Sequence, residues 1–119
     1  MKKIPWDVEE MVAIVDIYYK SENESSIVLS QQLKQLSAVL IHRADILKIE
    51  HDEKYRNYNG MKMIFENVRY VATNGEKGFS GAGQLIYDVI NLYNNNLSVF
   101  YRILKEFNEK YQLDKDEKI

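Results

Sequence analysis

Residues 29–44 read Leu-Ser-Gln-Gln-Leu-Lys-Gln-Leu-Ser-Ala-Val-Leu-Ile-His-Arg-Ala. Leu29, Leu33, Leu36 and Leu40 advance by four, three and four residues, and Ala44 follows one turn later. A strand turns alternate side chains to opposite faces, so this spacing cannot keep one apolar face inward in a β-sheet. It predicts a helix that begins near Leu29 or Ser30 and continues past Leu40.

The same periodicity extends in both directions. Upstream, Pro5 and Trp6 lead into Asp7, and Glu10 follows three residues later with the spacing of a capping box. Trp6 and Met11 are spaced for a hydrophobic staple, and Val8, Met11, Val12, Val15, Tyr18 and Tyr19 form a broad apolar stripe. Polar Ser21–Ser26 ends that helix. Downstream, Ile46–Tyr58 is compatible with a loop, a short helix or one brief extended segment. A third helix is predicted from Met61 to Ala72, with Met61, Ile64, Phe65 and Val68 facing inward and Val71 following. Asn74–Gly75 signals a turn. Ala82, Leu85, Ile86, Val89, Ile90 and Tyr93 define a fourth helix, which Asn94–Asn96 interrupts. Phe100, Ile103, Leu104, Phe107 and Tyr111 define a fifth. The expected fold is therefore all-α, a compact single-domain array of about five helices over 1–113. The tail 114–119, charged from Asp114 to Lys118, is expected to fray.

Composition narrows the functional classes. A chain of 119 residues with 45% hydrophobic and 29% charged residues supports one modest core rather than wholesale disorder. It contains no cysteine, which removes disulfides, a thiolate nucleophile and cysteine-based zinc sites. Ile4 is followed by Pro5, Trp6 and Asp7 rather than an apolar h-region, and no apolar block reaches a membrane-spanning length. The expectation is a cytoplasmic protein without a membrane partner.

Catalytic signatures are sparse. The histidines are His42 and His51, and His51–Asp52–Glu53 carries metal-capable atoms without the spacing that makes neighbours converge on one ion. Gly75, Gly78, Gly81 and Gly83 lack the Walker A pattern, and neither HExxH nor a nucleophile elbow is present. No cofactor motif, metal site or catalytic residue is assigned. Glu9–Glu10 and Glu50–Asp52–Glu53 offer acids whose separation only folding decides.

The most distinctive polar run is Tyr55-Arg56-Asn57-Tyr58-Asn59-Gly60. Gly60 suits a structural turn with a positive backbone angle, and Asn57 and Asn59 suit side-chain-to-backbone turn bonds. Arg56 offers a planar fork for a carboxylate or a phosphate. Two readings stand. In one, Arg56 pairs with an acidic side chain and the tyrosines close the core. In the other, the run is a recognition loop.

Short motifs give this chain a further resemblance. Trp6 with Glu9 and Glu10, Leu36–Ser37 with Leu40, and Arg56, Asn57 and Gly60 followed by Lys62 and Asn67 resemble a small helical module. That module is associated with bacterial HNH-type nucleases and related restriction or defence proteins. The resemblance covers roughly residues 6–93. The module's usual Lys-Leu-x-Asn-Phe ending is here Lys62-Met63-Ile64-Phe65-Glu66-Asn67-Val68. No nuclease domain follows before Ile119, so the resemblance implies a free-standing accessory or recognition module rather than cleavage.

Charge leaves two kinds of partner. The formal net charge is −2, yet Lys54, Arg56, Lys62, Arg69 and Lys77 face Glu66 and Glu76, a local balance of +3. For DNA or RNA, Arg56, Lys62 and Arg69 would neutralise phosphates. Asn57, Asn59 and Asn67 would make polar contacts, and Tyr55 or Tyr58 would stack on an exposed base. The alternative is a protein partner or a homo-oligomer, for which nine tyrosines, four phenylalanines and one tryptophan supply anchors. In that case Tyr87, Tyr93, Tyr101 and Tyr111 either present aromatic surface or fill gaps between the last two helices.

Overall fold

The computed structural model describes residues 3–113, and the charged tail expected to fray lies outside them. Five helices run in chain order: α1 Val8–Lys20, α2 Ser26–Ile46, α3 Tyr58–Ala72, α4 Gln84–Asn95 and α5 Leu97–Tyr111. Among the described residues there is no strand, and no helix is long and apolar enough to cross a membrane.

The packing is radial. α1 touches all four other helices, and these touch one another in the closed order α2, α3, α4, α5 and back to α2. The first helix is thus an axle inside a ring, and every residue from Glu10 to Asp16 is buried. An amphipathic stripe would leave one face wet. The unbroken apolar run Met11–Val15 instead suits a helix surrounded on all sides. This position also buries two acids, Glu10 at 1% and Asp16 at 9% exposure.

Caps set the boundaries. The Asp7–Glu10 capping box forms in both directions, each bond 3.1 Å long. α2 starts about three residues before the predicted position because Ser25 Oγ accepts from the Val28 amide at 3.2 Å. α3 likewise starts at Tyr58, where Asn57 Oδ1 accepts from the Gly60 amide at 2.9 Å. Gly60 therefore lies in the first turn of a helix and is not a turn glycine. The left-handed conformation falls on Arg56 instead, with φ 47°. Ile46–Tyr58 resolves into the end of α2, a loop with two turns and the first residue of α3, with no strand. Asn96 closes α4 and also caps α5, accepting from the Val99 amide at 3.4 Å.

The glycine-rich connector is pinned at several points. Asn67 Nδ2 donates to the Phe79 and Ser80 carbonyls at 2.9 and 3.3 Å, and the Phe79 amide donates to the Glu66 carbonyl at 3.0 Å. Gly78 has φ 83°, and a Cβ there would stand 2.3 Å from the Glu66 carbonyl oxygen. Backbone strain and the forced shift together predict that Gly78→Ala loses about 2–3 kcal/mol. Urea unfolding measures this, and a loss below about 0.5 kcal/mol would contradict the close approach.

Candidate recognition cleft around Arg56

The α2–α3 turn puts Arg56 against the buried start of α1. Arg56 Nε donates to Glu10 Oε2 at 2.7 Å and Nη2 to Glu10 Oε1 at 3.0 Å, a bidentate carboxylate pair. Nη1 donates to the Ile4 carbonyl at 3.1 Å and Nη2 to the Pro5 carbonyl at 3.0 Å. Four of the five guanidinium N–H groups are thereby engaged. The rings of Trp6 and Tyr55 lie 4.8 and 4.4 Å from the guanidinium carbon, and Ser37 Oγ donates to the Arg56 carbonyl at 2.6 Å. One side chain thus ties the N-terminal segment to α1, while its backbone is anchored to α2.

This arrangement withdraws Arg56 from the expected phosphate-contacting set, because its fork is buried and already matched to a carboxylate. Asn67 is withdrawn too, since its amide is spent on the connector. Tyr55 is buried. Asn57 is a helix cap. The Tyr58 hydroxyl bonds Ser30 Oγ at 2.8 Å. Arg69 pairs with Glu66 at 3.3 Å. Asn59 and Lys62 remain exposed. Lys62 and Lys34 hold their ammonium groups 5.4 and 5.1 Å from the Tyr58 ring centroid. The eight residues grouped in the sequence therefore divide into buried Tyr55, Arg56 and Asn67, the cap Asn57, the ion-paired Arg69, and Asn59 and Lys62 on the surface beside Tyr58.

The neighbouring acids are also committed. Arg43 pairs with Asp7 and, at 2.9 Å, with Glu9, which also accepts from Lys110 at 3.1 Å. Those carboxylates hold the Arg43 guanidinium above its ordinary pKa against the opposing effect of burial. His51 Nε2 meets Asp45 Oδ1 at 2.8 Å, and that bond raises the imidazole pKa above its usual value. Its ring stacks on Tyr55 at 4.9 Å. Among the described residues no group of three metal-ligating side chains converges. Of the tyrosines on α4 and α5, Tyr87 and Tyr101 are exposed, Tyr93 stacks on Tyr19 with centroids 3.9 Å apart, and Tyr111 is buried.

What the fixed turn builds is a cleft of about 670 Å³. One wall is Lys3–Trp6, the second is the 51–56 turn, and the third is Gly60, Met63 and Ile64 at the start of α3. Ile4, Pro5, Trp6, Tyr55, Met63 and Ile64 make its lining largely apolar. Lys3, His51 and Lys54 line it against a single acid, Asp52, while Arg56 is neutralised by Glu10. The sequence reading missed Met63 and the N-terminal segment. The available signal was the register of Met63, out of step with the inward stripe Met61, Ile64, Phe65 and Val68, and the residue is 52% exposed.

No protein-family model, curated protein or solved structure matches this chain.

Proposed function

We propose that this protein is a non-catalytic helical recognition module that docks a short segment of a partner protein, apolar at its centre and acidic at its flanks, in the Arg56 cleft. The carrying observation is the pre-formed apolar cleft with lysines at its edge. Pre-organisation matters because a wall already tied down by Arg56 loses little conformational freedom on binding. An accessory role beside bacterial restriction or defence nucleases is the setting suggested by the sequence resemblance.

A displayed random-peptide library, selected on wild-type protein alone and then measured against the variants, tests the reading. Expected are peptides with an apolar anchor beside Asp or Glu, bound at least about tenfold more weakly by Met63→Asp and by Lys54→Glu. Selected peptides that bind both variants as tightly as wild type would sink it. Nucleic acid is the second reading, favoured by Lys34 and Lys62 beside the Tyr58 ring. Salt-sensitive binding of labelled DNA or RNA that is lost in the Lys34→Ala, Lys62→Ala double variant would move the assignment there.

A further inference from the structure

Burying a charged or polar atom without a partner is costly, so such atoms are rare in folded proteins and each asks for an explanation. The axle helix buries two carboxylates, and they are treated differently. Glu10 is matched by Arg56. Asp16 has only Lys20, whose Nζ stands 3.0 Å from both carboxylate oxygens but donates its hydrogen bond to Oδ2. Asp16 Oδ1 is left without a hydrogen bond, although its residue is nine-tenths buried. Gln32 Oε1, on the facing α2, is a second buried acceptor with no partner.

Both residues line one cavity of about 400 Å³ where α1, α2 and α5 meet, and it shares no lining residue with the Arg56 cleft. Ile17, Leu36, Val39, Leu104 and Phe107 supply its apolar surface. The volume falls within the range of small-molecule sites, and sites between helices of a bundle are common. Among the described residues neither acceptor takes a hydrogen bond, although Lys20 and the amides of Gln35, Asn108 and Gln112 also line the cavity. Lys20 is a displaceable counter-charge, because its side chain is 59% exposed and its ammonium also lies 5.7 Å from the Tyr101 ring.

We propose that this cavity is a binding site for a small organic cation with an apolar body, an amidinium or primary ammonium on an aromatic or aliphatic group. The cation donates to Asp16 Oδ1 and Gln32 Oε1, and its apolar part lies against Leu36, Leu104 and Phe107. A planar amidinium presents two N–H donors side by side, one for Asp16 Oδ1 and one for Gln32 Oε1, and loses less hydration than a compact ammonium, so it is the stronger binder. Lys20 competes for the same carboxylate. Removing its charge therefore strengthens binding, which a purely structural role for the Asp16–Lys20 pair does not predict.

Benzamidine is the probe, with benzoate as the control of similar shape and opposite charge. In amide-resolved NMR titrations benzamidine is expected to shift the signals around Asp16, Gln32 and Phe107, and benzoate is expected to leave them in place. Lys20→Met should bind severalfold more tightly, Gln32→Leu severalfold more weakly, and Asp16→Asn at least about tenfold more weakly. If Asp16→Asn does not fold, the Lys20 and Gln32 variants decide the matter. Benzamidine that causes no shift at these residues overturns the proposal, as does benzoate binding equally well or Lys20→Met binding no more tightly than wild type.

Discussion

Arg56→Ala is expected to lower stability by about 3–5 kcal/mol, because it strands the Glu10 carboxylate in the core. For a domain of this size that is a fall in Tm of about 10–20 °C. Glu10 is 1% exposed and cannot recover its lost partner from water without opening the start of α1. The same truncation releases the carbonyls of Ile4 and Pro5 and the cation between two aromatic rings, which adds to the loss. Glu10→Leu alone should be similarly harmful, since it leaves the guanidinium unpaired. The double variant Glu10→Leu, Arg56→Met should lie closer to wild type than either single change, because apolar groups of similar size replace a buried ion pair at small net cost. Chemical denaturation of the four proteins gives the coupling directly. Single variants within about 1 kcal/mol of wild type would show that the pair does not carry the turn. Lys62→Ala is the comparison on the exposed side, where substitutions usually stay within about 0.5 kcal/mol.

Phe100→Ala is expected to cost about 3–5 kcal/mol by a different route, a cavity where the ring is fully buried in the core. Phe100 is 0% exposed and meets Tyr93 edge-on at 5.1 Å and Tyr101 at 5.4 Å. Tyr93 stacks in turn on Tyr19, which meets Tyr18 at 5.1 Å, and Tyr18 meets Phe65 at 5.8 Å. This aromatic chain runs from α5 through α4 and α1 to α3. Removing the Phe100 ring therefore loses transfer free energy and also contacts that cannot collapse without moving two helices. The denaturation midpoint should fall with an unchanged m-value, as for lost packing without a change in compactness. Tyr101→Ala, on a residue 38% exposed, should cost far less. Equal losses for the two variants would contradict the packing described.

All five helices were legible in the sequence because each carries an apolar stripe at helical spacing or a recognisable cap. Leu33, Leu36, Leu40 and Ala44 are buried as their spacing required, and the Asp7–Glu10 box formed as written. The starts of α2 and α3 were displaced because Ser25 and Asn57 act as caps upstream of the first apolar residue of each stripe. The axle position of α1 was less legible, although five successive apolar residues from Met11 to Val15 are its mark. The Glu10–Arg56 pair was not specifically legible. Its partners stand 46 residues apart, and neither periodicity nor local charge balance names the partner of a buried arginine. The sequence left Arg56 open between a structural pair and a recognition contact, and the fold resolves it into the pair. The cleft was invisible for the same reason, since its three walls come from separate parts of the chain.

The Arg56 tie also has a thermodynamic consequence. The ion pair that steadies the axle holds one wall of the cleft, so the wall and the core unfold together. A segment bound to that wall binds the folded chain and not the unfolded one. At a hundred times its Kd it adds about 2.7 kcal/mol to stability by mass action. The unfolding midpoint of this protein is therefore itself a sensor of cleft occupancy.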